Sequence, residues 1–424
     1  MPPLLRASML MAMTALLAAC TTPSPLPAPS PPPRPAADGP APSPAPRPAP
    51  APAPAPAPSP PSVPPAPPVK PPEPPARPVV PVVTAAEVRA VALRVLPPQI
   101  ADRKGWAEDI AVSFAALSIP AQAHKVCALA AVIEQESTWQ PDPPVPNLGR
   151  VAAQELEKKR ERLGIPKLVF DLALDKQSRT GQTYRQRLQR LKTEQELSRL
   201  FEDMANEIPF GARLLEGQNP VRTGGSTQVS ISFAAEQMRR HPYPWQPAGS
   251  AREEVFKRRG GVYFGAAMLL DYPVSYNRML YRFADYNAGR YSSRNAAVQT
   301  LLGQLSGRAV VPDGDLLRYG GGVAQPPATN PSEAWRALTA LNFLGLGAQQ
   351  VAQDLLQEKQ HGFEQTATYL KLYELAQRKG LSPERERLPD IQLDSPKITR
   401  QLTTAWFAER CEARYRACLA RDPE

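Results

Sequence analysis

Proline dominates the first part of the chain and limits where a folded domain can begin. Of the 54 prolines, 32 precede residue 84, and residues 22–83 alternate Pro with Ala, Ser and Val. Because proline fixes φ and removes a backbone donor, this segment cannot build a core, and it predicts an extended polyproline II tether. At about 3.1 Å per residue, its roughly 60 residues could reach on the order of 190 Å. A disordered spacer is the alternative, which differs in stiffness but not in role.

The first twenty residues have the pattern of an export signal. A single arginine precedes an apolar run, so residues 1–19 predict a secretory signal peptide that is removed after export. The stretch LAAC, which ends at Cys20, resembles the bacterial lipobox; this resemblance implies that Cys20 is lipidated and begins the tether, 20–83. With Thr21 in place of Asp, it also implies an outer-membrane lipoprotein that faces the periplasm. An ordinary signal peptide with a chance cysteine is the alternative.

Charge and hydropathy narrow the classes of partner. The net charge of +10 is spread over segments such as QELEKKRERLG, in which basic and acidic residues alternate. Such patterns are typical of solvated helix faces, and no basic stripe interleaved with aromatic residues favours nucleic-acid binding. We therefore expect no nucleic-acid partner. No stretch after the signal peptide approaches the roughly 20 apolar residues that a membrane-spanning helix needs.

Three cysteines follow the tether: Cys127, Cys411 and Cys418. Export permits a disulfide, but three thiols leave one unpaired. Seven helical residues rise about 10.5 Å, beyond the roughly 7 Å between bridged Cα atoms, so a bridge between Cys411 and Cys418 requires a broken helix. We interpret Cys127 as a small core residue. The three histidines have no metal-ligand spacing, so we expect neither a metal nor another cofactor.

Helical periodicity covers almost all of the chain after the tether. Thr84-Ala-Ala-Glu87 is a capping-box pattern, so the domain should begin there with a helix. We predict a mainly α fold with helices over 85–95, 105–117, 122–137, 151–163, 181–206, 231–240, 250–270, 275–286, 293–305, 332–343, 347–357, 362–379 and 398–419. Alternating runs at 227–232 and 308–313 fit either strands or extended loops. The Gly- and Pro-rich stretch 313–331 fits either an internal loop or a boundary.

One predicted helix ends with two glutamates that helical geometry separates. Apolar residues at helical spacing form a stripe over 126–133, and Glu136 continues that stripe. Glu134 is rotated by about 200° from Glu136 and should face elsewhere. A carboxyl at the end of a buried stripe is desolvated, which raises its pKa and suits a general acid. The alternative is a frayed helix end with Glu136 exposed to solvent.

Four short motifs that follow one another along the chain are informative because of their order. Residues 136–141 read ESTWQP, which fits a pattern E-S-x-aromatic-x-P, and 286–289 read YNAG. Between them, 225–229 read GSTQV, close to G-L-M-Q, and the predicted helix around 259–270 carries Gly265, in loose agreement with G-x-x-Y-L. Taken together, the four segments resemble the lytic transglycosylases of the goose-lysozyme-like superfamily. The architecture also resembles a proteobacterial lipoprotein family labelled only as a domain of unknown function.

The resemblance, which covers roughly residues 120–305, implies an architecture. It implies a lysozyme-like helical domain over 84–320, with a helical insert at about 147–215, and a helical C-terminal extension over 321–424. The insert is a departure, because about ninety residues separate Glu136 from Gln228. We expect it to act as a lid or a partner surface. Ser226-Thr227 in place of Leu-Met is a second departure.

The resemblance also implies an activity. The chain would cleave peptidoglycan between N-acetylmuramic acid and N-acetylglucosamine and leave a 1,6-anhydro end. Glu136 would act first as acid and then as base, supported by the substrate's N-acetyl group. Tyr286 would hydrogen-bond to and position Glu136, while Ser137, Gln228 and Asn287 would bind substrate or organise the cleft. The partners would be glycan strands, the outer membrane through the N-terminal lipid, and cell-wall machinery proteins.

Other interpretations of these residues remain open. A second carboxylate, Asp285 or Glu236, would favour a lysozyme-type hydrolase in which Glu136 delivers water. A chain that kept the fold without turnover would be a non-catalytic peptidoglycan-binding or scaffold lipoprotein. The YNAG segment could also be only a helix end capped by Gly289, and Gln228 only a strand residue.

Overall fold

The computed structural model describes residues 83–208, 215, 217–247, 249–393 and 402–422. The predicted signal peptide, the predicted lipidation site Cys20 and the proline-rich tether up to residue 82 lie outside the described residues, and so does part of the predicted insert. Among the described helices, none is both long enough and apolar enough to cross a membrane.

The described part of the chain is mainly α-helical, as predicted. Helices α1 to α8 are Ala85–Val95, Arg103–Ala116, Ala123–Ser137, Leu148–Arg162, Lys167–Asp175, Tyr184–Arg190, Glu194–Glu207 and Ile231–Arg240. Helices α9 to α16 are Ala251–Val255, Arg258–Leu270, Met279–Ala288, Ser292–Ser306, Glu333–Ala340, Ala348–Leu355, Ala367–Arg378 and Thr404–Leu419. Three antiparallel strand pairs are β1 (Thr223–Gly224) with β2 (Val229–Ser230), β3 (Tyr319–Gly320) with β4 (Val323–Ala324), and β5 (Gln392–Leu393) with β6 (Leu402–Thr403).

Side-chain caps fix where several helices begin. The Thr84 hydroxyl accepts a bond from the Glu87 N–H and the Glu87 carboxylate accepts one from the Thr84 N–H, so the predicted capping box is confirmed. The same reciprocal arrangement starts α6 at Thr183, α7 at Thr193 and α9 at Ser250. Each box pairs N–H groups that a helix start otherwise leaves without partners.

Helix α3 lies in the larger hydrophobic core, which it shares with α1, α2, α10, α11 and α16. Every residue from Val126 to Ile133 is buried, so apolar or small side chains occupy all sides of the helix. A helix that is apolar all round is covered by neighbours on all sides. The C-terminal end of α3, where Glu136 lies, is therefore enclosed by other elements.

A disulfide joins the centre of this core to the end of the chain. It links Cys127 of α3 to Cys418 of α16, with their Cα atoms 5.5 Å apart, while Cys411 remains a buried free thiol. Cys127 is a buried core residue, as interpreted, and it also forms the disulfide whose pairing the sequence left open. Spacing along α16 keeps Cys411 and Cys418 apart, and α3 packs beside α16 and supplies the partner.

The described part of the insert, α4 to α7, builds a core of its own around residues such as Leu156, Tyr184 and Leu197. Val221 and Phe256, from outside the insert, are buried in the same core. The insert is thus packed against the segments around α9 and α10.

The predicted C-terminal extension divides between two cores. Helices α13, α14 and α15 pack with α12 in a separate hydrophobic cluster that includes Leu302, Leu338 and Tyr373. Helix α16 instead contributes Phe407 and Ala408 to the larger core beside α3. The last helix is therefore part of the wall around the end of α3.

Several predicted elements have other bounds in the structure. The helix predicted over 181–206 is two helices, because the Val145 N–H donates to the Lys192 carbonyl at 2.7 Å and Thr193 starts a new cap. The helix predicted over 250–270 breaks after Val255, where Phe256 turns into the insert core. Helix α5 was not predicted, and its apolar Leu168 and Leu172 are exposed.

The structure also decides between strand and loop for the two alternating runs, 227–232 and 308–313. Of 227–232, only Val229 and Ser230 form a strand, and α8 begins directly after it. Residues 308–313 form no strand. The Gly- and Pro-rich stretch 313–331 contains the short pair β3–β4.

Candidate functional site

Helical phase separates the two glutamates at the end of α3, as predicted. The Glu134 side chain is 38% exposed, whereas Glu136 is 4% exposed. This burial excludes the alternative in which Glu136 is exposed to solvent at a frayed helix end.

The environment of Glu136 favours its protonated form. Burial is the main cause that raises its pKa to about 8, and the negative charge of Glu194 raises it further. The Arg414 guanidinium lowers the same pKa. Desolvation and a like charge both disfavour a carboxylate. At neutral pH, Glu136 is therefore a carboxylic acid with a proton to donate.

A tight backbone reversal follows Glu136. Thr138 and Trp139 adopt left-handed conformations, with φ of 50° and 63°, and so end the helix. The Trp139 ring packs edge-on against Trp106 at a centroid distance of 5.2 Å. This contact fixes the direction in which the chain leaves α3.

The turn between β1 and β2 brings Gln228 to the same region. Gly225 has a φ of 75°, and a Cβ there would lie 2.0 Å from the Val255 carbonyl oxygen, so only glycine fits. Gln228 also has a positive φ, 50°. Its side-chain amide donates to Glu194 at 3.2 Å and to the Gly225 carbonyl at 3.3 Å. Gln228 is therefore a turn residue that directly precedes β2, and its side chain faces Glu194.

The two residues that depart from the G-L-M-Q pattern have a packing role. Ser226 and Thr227 are fully buried against α10. A Cβ on Gly261 would lie 2.6 Å from the Ser226 hydroxyl oxygen, and one on Gly265 would lie 2.6 Å from a Thr227 methyl group. Two glycines on one face of α10 thus let the turn approach the helix closely.

Tyr286 of α11 joins this turn. Its hydroxyl donates to the Thr227 carbonyl at 2.7 Å. Burial is the main cause that raises the pKa of Tyr286, and the Glu136 carboxylate, when ionised, raises it further, so the two side chains are neighbours. The hydrogen bond that we expected Tyr286 to donate to Glu136 goes instead to the Thr227 carbonyl.

Ser137 and Asn287 form hydrogen bonds within the fold. The buried Ser137 hydroxyl donates to the Ile133 carbonyl at 2.8 Å, one turn earlier in α3. The Asn287 side-chain oxygen accepts a bond from the Thr404 hydroxyl at 2.8 Å, which ties α11 to the start of α16. These contacts place both residues beside Glu136 or Tyr286 in the chain, with their oxygen atoms engaged within the fold.

The two carboxylates considered as second acids lie in other environments. Asp285 is buried and accepts bonds from the backbone N–H groups of Tyr291 and Ser293, at 2.9 and 2.7 Å, and from tyrosine hydroxyls. It therefore holds the end of α11 together. Glu236 forms ion pairs with Arg239 and Arg240 on its own helix. Neither contributes to the pKa of Glu136.

Comparison with known proteins gives the chain a family. Residues 99–421 match the model of a family described as "Protein of unknown function (DUF1615)". The chain belongs to this family. It is also 44% identical over 336 residues to "Uncharacterized protein YaiW" of Escherichia coli (strain K12), an alignment that covers 79% of this chain and 90% of that protein. No solved structure matches the chain.

The region matched by the family contains all the residues that converge at the end of α3. We call Glu136, Glu194, Gln228, Tyr286 and Arg414 the Glu136 site. Among the described residues, no three or more His, Cys, Asp or Glu side chains are grouped so that they could hold a metal ion.

Sequence reasoning missed two members of the Glu136 site, Glu194 and Arg414. Glu194 is 7% exposed at the first position of α7, and the Arg414 Nε atom lies 3.9 Å from Glu134. Both come from segments that the resemblance does not treat as the catalytic region. No local pattern could have indicated either residue, because Glu194 depends on the pairing of 142–145 with 192–195 and Arg414 depends on the packing of α16 on α3.

Proposed function

We propose that this chain is a peptidoglycan lytic transglycosylase. It cleaves the β-1,4 bond between N-acetylmuramic acid and N-acetylglucosamine and forms a 1,6-anhydro-N-acetylmuramic acid end. One observation carries the proposal: the glutamate of the ESTWQP segment is a buried acid with a pKa of about 8, beside the turn with Gln228 and the YNAG helix with Tyr286. Segments far apart in the chain thus supply neighbours in the order that the resemblance implies.

The chemistry follows from the protonation state of Glu136. Its carboxylic acid gives a proton to the glycosidic oxygen as the bond from that oxygen to C1 of N-acetylmuramic acid breaks. The substrate's N-acetyl group supports the positive charge at C1. The C6 hydroxyl oxygen then attacks C1, and the Glu136 carboxylate takes the hydroxyl proton. The acid is regenerated without water, and one carboxyl performs both proton transfers.

The surrounding contacts hold the acid in place for this cycle. The bond from Tyr286 to Thr227 joins α11 to the β1–β2 turn, and the bond from Gln228 to Glu194 joins that turn to α7. These bonds frame Glu136 with polar groups from three elements. Ser137, which bonds within α3, and Asn287, which bonds to Thr404 at the start of α16, organise the ends of α3 and α11.

The sequence of the N-terminal region supports the periplasmic side of the outer membrane as the location of this activity. A lipid on Cys20 would anchor the chain in the outer membrane, and the proline-rich tether would let the domain reach glycan strands in the periplasm. The two or three acyl chains of such an anchor hold far more firmly than one chain does. Contacts with cell-wall machinery proteins would then direct where the strands are cut.

A hydrolase is the second candidate, because Glu194 places another carboxyl near Glu136. Glycoside hydrolases that use two carboxyl groups deliver water to C1 with one of them. Such an enzyme would leave a reducing end instead of an anhydro end.

Digestion of purified sacculi tests the proposal. We expect the purified protein to release 1,6-anhydromuropeptides, detected by liquid chromatography and mass spectrometry, and Glu136→Gln to release none. Glu134→Gln is the matched control, because Glu134 lies on the same helix and is partly exposed. Reducing-end products would identify the hydrolase. Binding to sacculi without any product would identify a non-catalytic wall-binding protein.

A further inference from the structure

Exposed aliphatic side chains are concentrated in one part of the insert. Nine large apolar side chains are exposed among the described residues, and four of them lie between residues 163 and 172. Leu163 directly follows α4, and Leu168, Val169 and Leu172 lie on α5, where the two leucines are 72% and 66% exposed. We call these four residues the α5 patch. Single exposed aliphatic residues are ordinary, but neighbouring ones mark a surface that binds a partner or a membrane.

Helical geometry explains why part of α5 is left uncovered. Leu168, Val169 and Leu172 are one and four positions apart, so they share one side of the helix. The buried Leu174 and the half-buried Phe170 lie on another side and pack into the core of the insert. Helix α5 is therefore apolar over most of its circumference, but the fold covers only one of its apolar sides. The other side faces solvent.

The helices that carry the patch are strongly basic. Residues 148–190, which span α4 to α6, contain 11 Lys and Arg against 5 Asp and Glu, a net charge of +6 out of the +10 of the whole chain. Helix α7 has the opposite sign, with five acidic residues and one arginine. The positive charge of the insert is thus concentrated in α4 to α6. Basic residues precede, enter and follow the patch along the chain: Lys158, Lys159, Arg160, Arg162, Lys167, Lys176 and Arg179.

The two acidic residues of α5 each have a cationic partner. Asp171 accepts a bond from the Lys167 ammonium at 3.0 Å, and Asp175 accepts one from the Arg185 Nε–H at 2.6 Å. Paired carboxylates repel an anionic surface less than unpaired ones do. Lys167 is itself 69% exposed and Lys158 is 65% exposed, so both ammonium groups are accessible to a surface that meets the patch.

Aliphatic side chains flanked by cations match the chemistry of a bilayer surface that contains anionic phospholipids. Leucine and valine side chains enter the boundary between headgroups and acyl chains, and the lysine and arginine side chains beside them bind the negative headgroups. A protein partner fits the patch less well. The residues that contribute most to binding in protein interfaces are Trp, Tyr and Arg, whereas Leu and Val are under-represented among them.

We propose that the α5 patch and the basic side chains of α4 to α6 form a membrane-docking surface, which inserts Leu168, Val169 and Leu172 into the surface of an anionic bilayer without crossing it. This inference goes beyond the proposed function and does not depend on it, because the contact requires neither glycan cleavage nor a lipid on the chain. It gives the insert a role in fixing which face of the domain meets the membrane.

Sedimentation with vesicles tests the docking surface. The mature chain, residues 20–424, is prepared with Cys20→Ser so that an N-terminal lipid cannot contribute to binding. We expect this parent protein to sediment with vesicles of equal parts phosphatidylethanolamine and phosphatidylglycerol, and to bind at least about tenfold more weakly to phosphatidylcholine vesicles or at high salt. Leu168→Gln/Leu172→Gln should weaken binding to the anionic vesicles at least about tenfold, because each change removes the burial of one leucine.

Leu356→Gln/Leu370→Gln is the matched control, because both leucines are 56% exposed and lie outside the patch; it should bind the anionic vesicles as the parent does. Both double variants should keep the helical circular dichroism of the parent, since glutamine is a good helix former and the replaced side chains are exposed.

Equal vesicle binding by the two double variants, or no binding by the parent, overturns the proposal. A parent that ignores vesicles but forms dimers that Leu168→Gln/Leu172→Gln dissociates, measured by analytical ultracentrifugation, also overturns it and assigns the patch to a second copy of the chain. The vesicles contain no glycan, so a failure to dock does not bear on the proposed function. Vesicle binding by a protein that fails to digest sacculi would refute the proposed function and leave the docking surface intact.

Discussion

Glu136→Gln should make the protein more stable at alkaline pH, because it removes an acid that the fold disfavours when ionised. The pKa of Glu136 is about 8 in the folded protein, against an ordinary value of 4.5. A pKa raised on folding means that the unfolded chain loses this proton at lower pH than the folded protein does. The stability linked to the proton is present below pH 4.5 and is lost as pH rises to about 8.

The size of the effect follows from the two pKa values. Each pH unit between them contributes about 1.4 kcal/mol, so the folded state loses on the order of 4 kcal/mol between pH 4.5 and pH 8 through this group. Glutamine cannot titrate, so the variant does not incur that loss. Its fixed difference in packing and hydrogen bonding is the same at every pH and cancels when two pH values are compared.

Urea denaturation of both proteins at pH 5 and pH 8.5 measures the effect. We expect the free energy of unfolding of Glu136→Gln, relative to that of the native chain, to rise by about 4 kcal/mol between the two conditions. Glu134→Gln should show a relative change below about 0.5 kcal/mol, because that side chain is partly solvated. An equal pH dependence in the native chain and in Glu136→Gln would refute the claim that Glu136 is a buried acid.

Two further predictions concern the elements that surround the site. Cys127→Ser removes the bond to Cys418 and should lower the free energy of unfolding by about 2–4 kcal/mol, measured by urea denaturation; an unchanged value would contradict the disulfide. Gly265→Ala places a Cβ within 2.6 Å of Thr227 and should lower the melting temperature through about 1–3 kcal/mol of overpacking. Gly347→Ala is its control, with nothing within 4 Å of the Cβ position, and equal melting temperatures for the two variants would contradict the close approach of the turn.

Local sequence patterns predicted the structural features that depend on residues a few positions apart in the chain. Helical phase alone separated Glu136 from Glu134, and the Thr84–Glu87 spacing predicted the first cap, because both depend on positions a few residues apart. The order of the four segments predicted Gln228 and Tyr286 as site residues; Tyr286 is a neighbour of Glu136, and Gln228 bonds to Glu194.

The features that the sequence did not predict depend on contacts between segments that are far apart in the chain. Glu194 reaches Glu136 through the contacts of 142–145 with 192–195, and no spacing rule connects these segments. The disulfide depends in the same way on the packing of α16 against α3, which no local pattern reports. The Tyr286 hydroxyl donates a hydrogen bond to the Thr227 carbonyl because Gly265 lets that turn approach α10 closely, and this is a packing property of two distant segments.

The most direct measurement of the central claim is digestion of sacculi in water enriched in ¹⁸O, followed by mass spectrometry of the muropeptides. If Glu136 closes the 1,6-anhydro ring with the C6 hydroxyl, the cleaved N-acetylmuramic acid ends carry no isotope label and lack the mass of one water. This is the result that we predict for the native chain, and Glu136→Gln should give no cleaved ends. Cleaved ends that carry ¹⁸O, or intact strands after incubation with the native chain, would contradict the account.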